Sequence, residues 1–93
     1  MKRFDWSPAK NEWLRRVRGL TFEAILYHIQ AGDLFDVIEH PNPARYPGQR
    51  VFIVEVAGYA CIVPFVESDE AIFLKTIIPS RKLTKRYLGG EAP

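Results

Sequence analysis

The segment Ile77-Ile78-Pro79-Ser80-Arg81-Lys82 ends an apolar strand and opens a helix. A helix N-terminus offers free N–H donors and the positive end of the helix dipole, which suits a phosphate. Ser80 and Arg81 would add a hydroxyl and a bidentate fork. Capping accounts for Ser80 equally well. Lys75 stands just upstream in the apolar run Ile72-Phe73-Leu74-Lys75-Thr76-Ile77-Ile78. An unpaired buried ammonium is costly. Lys75 therefore snorkels at an edge, pairs with an acid such as Glu55, or points into a site. Strand alternation sets it on the same face as Phe73 and Ile77.

Other chemistry is sparse. No glycine pattern for a dinucleotide and no GKS or GKT phosphate loop occurs. His28 lies on a helix flank and His40 precedes prolines, so both read as structural or solvated groups. Asp36 and Glu39 are three apart on a strand, hence on opposite faces, and make a poor acid–base pair. Glu67-Ser68-Asp69-Glu70 reads as a solvated turn. Cys61 is the one cysteine and sits in an apolar strand, where a thiol is inert. With no CxxC and no Cys/His cluster, neither a metal nor a cofactor is expected.

The elements that would carry these residues follow from pattern. Phe4-Asp5-Trp6 alternates as a short strand. Ser7-Pro8 starts a helix in which Ala9, Trp13 and Val17 recur every four residues beside Leu14, with Asn11, Arg15 and Arg18 on another face. Gly19 stops it. Thr21 caps a second helix with Phe22, Ile25, Leu26 and Ile29 inward. Leu34 to Glu39 reads as a strand. The proline-rich stretch from His40 to Gln49 must be a loop, long enough for function or motion. Strands at Arg50 to Ala57, Tyr59 to Val66 and Ala71 to Ile78 follow at short turns, which imply antiparallel neighbours. Pro64 predicts an edge position or a bulge. Ser80 caps a last helix from Arg81 to Leu88, with Leu83 and Tyr87 inward, Lys82, Lys85 and Arg86 on one outward face, and Gly89-Gly90 closing it. The expected class is α+β, in the order β-α-α-β-β-β-β-α on an antiparallel sheet.

Ninety-three residues allow one domain, 1–93. Apolar residues make up 47% and charged residues 26%, which excludes a disordered chain, a coiled coil or a repeat array. No run approaches the roughly 18 apolar residues of a membrane span, and no secretion signal is visible, so a cytoplasmic location is expected. The net charge of +2 conceals a pattern. Residues 1–18 carry six cations against two carboxylates, and residues 75–93 carry five against one. Residues 19–74 carry two cations against eight carboxylates. Basic ends that met in the fold would form a surface for a polyanion. Lysines and arginines that merely solvate two helices would leave the same pattern.

Taken in order, FDWSPAKNEWL, RGLTFEAI, QRVFIVEV and IIPSRKLTKRYL resemble the BrnT family of bacterial toxins, the ribonuclease halves of type II toxin–antitoxin pairs, with a RelE-like fold. The resemblance spans about residues 4–88. Lys10 and Asn11 match the family's opening pair, and Gly19, Phe22 and Glu23 its second segment. Arg50 matches the arginine opening the central strand, Arg81 the arginine of the closing segment and Tyr87 its tyrosine. Arg18 stands where the family has histidine, Lys85-Arg86 replace an acid–arginine pair, and PNPARYPGQ is longer and richer in proline than the family pattern. The resemblance implies metal-free RNA cleavage, in which the 2′-hydroxyl attacks the adjacent phosphate. Arg81 would hold that phosphate, Arg50 would be a second clamp, and Lys75 would transfer a proton or add a third charge. Lys10, Arg18, Lys82, Lys85 and Arg86 would track the RNA backbone. The implied partners are RNA and a small antitoxin, often of the ribbon-helix-helix type. Apolar residues on both faces of the strands leave a homodimer open as well. Without the family's histidine, a non-catalytic RNA- or protein-binding module of the same fold is the alternative, and a structural domain with solvated basic helices is a third reading.

Overall fold

The Ser7 hydroxyl accepts the Lys10 amide proton at 3.2 Å and starts α1 (Pro8–Arg18), which Gly19 ends in the left-handed region at φ +67°. Thr21 does the same for the Ala24 amide at 3.1 Å, opening α2 (Phe22–Gln30). The structure, a computed structural model, describes residues 2–89. It is an α+β domain. Its strands are β1 (Arg3–Trp6), β2 (Leu34–Glu39), β3 (Arg50–Val56), β4 (Tyr59–Glu67), β5 (Ala71–Leu74) and β6 (Ile78–Pro79), and α3 (Arg81–Tyr87) follows them. Gly89 carries φ +86°, as a helix stop should, while Gly90 lies outside the described residues.

The sheet runs β1-β5-β4-β3-β2, with β6 also paired to β4. The expected wholly antiparallel sheet is corrected by β1, which pairs β5 in parallel from Arg3↔Ala71 to Trp6↔Leu74. Tight turns dictate antiparallel direction only within β3-β4-β5. No turn joins β1 to β5, and β1 runs so that Trp6 delivers the chain to the Ser7 cap of α1.

The expected strand from Ala71 to Ile78 is broken in two. Leu74 pairs with Phe65, and the Lys75 amide donates to the Pro64 carbonyl at 2.8 Å. Ile78 then pairs with Ile62, so this side carries one residue more than β4. Pro64 supplies the reason. In a strand the nitrogen and carbonyl of a residue point the same way, so Pro64 lacks a donor toward β5. The bulge expected at Pro64 is therefore present, on the neighbouring strand, while the edge position is not, since β4 is central. The extra residue turns Ile77 over. It is fully buried on the α1/α2 face, whereas Lys75 lies on the opposite face with Phe73.

The α1/α2 face carries the larger core. Leu14, Phe22 and Ile25 pack on Phe52, Val54, Cys61, Val63, Phe65, Leu74 and Ile77. The rotation of α1 differs from expectation. Leu14 is fully buried, while Val17 is 56% exposed and Ala9 is exposed. Two polar anchors explain this. Asn11 and Arg18 share the inward face with Leu14, at the i, i+3, i+7 spacing of one helical stripe. Asn11 Nδ2 donates to Glu23 at 2.8 Å, and its Oδ1 accepts the Phe22 amide at 2.8 Å. The Arg18 guanidinium donates to the Ile77 carbonyl inside the bulge. Among the described helices, α3 covers the opposite face. The Ser80 hydroxyl caps the Leu83 amide at 3.1 Å, and the buried Thr84 hydroxyl accepts from the Ala60 amide at 2.9 Å while donating to the Ser80 carbonyl. Leu83 and Tyr87 pack inward on Val51, Ile53 and Ala60, and Tyr87 stacks on Phe35 at 5.0 Å.

Candidate nucleic-acid interface

Arg50, Lys75 and Arg81, the expected catalytic set, do not converge. Arg50 alternates with Phe52 and so lies on the α1/α2 face, its guanidinium 5.3 Å from the Phe65 ring. It pairs there with Glu67, which also takes Lys2 at 2.6 Å. Hydrogen bonds from Lys2 and then Arg50 hold the Glu67 carboxyl below its ordinary range. The Arg50 fork is thus answered within the chain, and it lies on the sheet face opposite Lys75. Lys75 is exposed, its ammonium 5.8 Å from the Phe73 ring. Glu55 takes no part in the ion pairs of the described residues. Arg81 is exposed at the start of a seven-residue helix whose serine is spent on its own cap.

The expected RNA-tracking residues also divide. Arg18 is engaged by the Ile77 carbonyl and by the Trp13 ring at 5.1 Å, which makes it a brace for the fold. Lys10 also lies over Trp13, its ammonium 4.5 Å from the ring centroid. Lys82, Lys85 and Arg86 are all exposed, but Lys82 and Arg86 border one groove and Lys85 does not. None of the three, nor Arg81, takes part in an ion pair among the described residues. By contrast, Arg15 and Arg16 share Glu12.

Lys10 and Lys75 come to one place. Both line an open cleft of about 370 Å³ at the break between β5 and β6, together with His40, Tyr46, Gln49 and Thr76. The long loop builds the far wall. Its ends are closed by the His40 amide on the Gln49 carbonyl at 3.0 Å, and its interior by the Tyr46 amide on the Asn42 carbonyl at 3.0 Å. His40 and Tyr46 lie ring against ring at 4.3 Å. The Asn42 amide donates to His40 Nδ1 at 3.0 Å, so the neutral ring carries its proton on Nε2. Two lysines and a histidine therefore line one cavity with an aromatic ring, while the lysine ammonium groups lie over the Trp13 and Phe73 rings outside it. Such a set can hold a phosphate and stack a base.

The sequence reading set His40 aside as a structural or solvated group and did not single out Tyr46. The only signal was the loop itself, too long and too rich in proline for a plain connection. His28 is structural: its Nδ1 lies 2.8 Å from Asp33 at the end of α2. Cys61 is buried, and desolvation pushes its thiol up to about 11, which leaves little nucleophilic thiolate near neutral pH. Among the described residues, no group of three or more His, Cys, Asp or Glu side chains could hold a metal ion. No helix among them is long and apolar enough to cross a membrane. No family model, curated protein or solved structure matches the chain.

Proposed function

We propose that this chain acts on RNA, seating a backbone phosphate in the cleft of Lys10, Lys75 and His40 and promoting cleavage by the neighbouring 2′-hydroxyl. The observation that supports this reading is that Lys10, Lys75 and His40 line one cleft at the strand break, where the two flexible lysine side chains can reach a bound phosphate. The resemblance to BrnT-type toxins supplies the reaction. The 2′-oxygen bonds to phosphorus, the 5′-oxygen leaves with a proton, and a 2′,3′-cyclic phosphate and a 5′-hydroxyl result. The lysines would stabilise charge on the phosphorane, where preorganised cations act most strongly. Tyr46 would stack a flanking base. Arg81 and Lys85, four apart on α3, would extend the contact along the backbone. A RelE-like fold and a small antitoxin belong to this same reading.

Binding without cleavage is favoured by one feature. His40 Nδ1 already accepts the Asn42 amide, so the neutral ring presents a donor and no free base to the cleft. Purified protein incubated with a 5′-labelled single-stranded RNA separates the two. Cleavage to cyclic-phosphate ends, lost at least tenfold in Lys75→Ala and in His40→Ala with Arg50→Ala unaffected, is the expected result. Intact RNA that is nonetheless bound, and bound less tightly by both cleft variants, would replace cleavage by binding. Neither binding nor cleavage would remove RNA from the account.

A further inference from the structure

A second cavity lies apart from the cleft, between α3 and the sheet, with a volume of about 350 Å³. Its floor is Val51, Ile53, Ile62 and Leu83. Val51 and Ile53 are fully buried, but α3 is only seven residues long and leaves the groove beside them open. The one hydroxyl on its wall, that of Ser80, is committed to the Leu83 amide. Among the described residues, no aromatic side chain lines it.

That chemistry selects among occupants. A nucleobase is recognised by stacking and by hydrogen bonds to its edges, and this floor offers neither. Aliphatic side chains need only apolar contact and exclusion of water. The volume stands at the small end of the roughly 300–1,000 Å³ found for ligand sites, which suits a few inserted side chains better than a whole ligand. The rim is charged in one sense. Lys82 and Arg86 are four apart on α3, both exposed, and neither meets a carboxylate among the described residues.

We propose that the groove beside α3 is a docking site for a partner protein segment that places a pair of aliphatic side chains on Ile53, Ile62 and Leu83 and sets carboxylates against Lys82 and Arg86. This is the groove mode of peptide recognition, in which apolar anchors give affinity and rim charges give orientation and specificity. The site does not depend on the RNA reading, because Lys10, Lys75 and His40 take no part in it.

The test uses the full chain, labelled with nitrogen-15, and a designed amphipathic helical peptide bearing leucines four residues apart with glutamates flanking them. The expected result is saturable amide shifts at Ile53, Ile62, Leu83 and Arg86. Affinity should fall at least tenfold in the Lys82→Glu, Arg86→Glu double variant, whose changed residues are exposed. A peptide with lysines in place of the glutamates should bind that variant and not the native chain. Three results would overturn the proposal: no shifts at millimolar peptide, equal binding of the acidic and basic peptides to the native chain, or a single-stranded RNA moving the groove amides more strongly than the peptide does.

Discussion

Ala57 and Gly58 join β3 to β4 with two residues at positive φ, 54° and 79°, between the paired Val56 and Tyr59. This is the hairpin geometry that favours Asn-Gly, because its twist matches that of the strands. Glycine meets the demand freely, but alanine in the left-handed region costs about 1–2 kcal/mol. Ala57 is exposed, and no packing depends on its methyl group. Ala57→Asn should therefore raise unfolding stability by about 0.5–1 kcal/mol, read as a higher urea midpoint with an unchanged slope. A midpoint at or below that of the native chain would mean that the turn is not strained at Ala57. Some residues matched to the BrnT pattern serve the fold. Asn11, Phe22 and Glu23 are bound to one another, with Asn11 joining the two helices through both ends of its amide. Their spacing is explained by the fold without any role in chemistry.

The break between β5 and β6 is the element that decides where the cations go. Pro64 removes one donor from the ladder, the neighbouring chain takes an extra residue, and Lys75 and Ile77 end on opposite faces. The Ile77 carbonyl is then left to Arg18. Arg18→Ala should lower stability by about 1–2 kcal/mol, the range for loss of a partner to a polar group that is partly buried. Arg18→Lys should recover only part of it, since an ammonium lacks the planar fork. RNA affinity of the folded variants should be unchanged, because the guanidinium already serves the bulge. A large loss of RNA binding at unchanged stability would return Arg18 to the interface. The helices, their serine and threonine caps and the β3-β4 hairpin were legible in the sequence, because caps and turns are local chemistry. The parallel pairing of β1 was not, since no local turn encodes it. The inward turn of α1 was also hidden, because Asn11 and Arg18 read as polar surface until their distant acceptors are known.

Among the described residues the basic ends come together at the strand break, where Arg18 donates to the Ile77 carbonyl and Lys10 and Lys75 line one cleft. β1 pairs β5, but α1 lies on one face and α3 on the other, so the charge of the two ends is divided between two surfaces. On the first, Arg15 and Arg16 face Glu12 and Arg50 faces Glu67. On the second, the cations of α3 have no such partners among the described residues, and Lys10 reaches the cleft at the strand break that Lys75 also lines. Charge in the sequence therefore allowed a polyanion surface but could not say which cations were already paired, and the BrnT resemblance grouped Arg50 with Lys75, which lies on the other face of the sheet. Counterion release turns this division into a measurable slope. Each phosphate contact to single-stranded RNA contributes about −0.7 to the dependence of log K on log salt. If Arg81 and Lys85 each hold a phosphate, Arg81→Ala with Lys85→Ala should make that slope shallower by about 1.4. Arg15→Ala with Arg16→Ala removes the same formal charge and should leave the slope near its native value, because Glu12 already answers those cations. Titration of a labelled RNA at several salt concentrations distinguishes the two. Equal flattening by both pairs would mean that RNA responds to net charge alone, and the α3 side of the sheet would lose its claim as the interface.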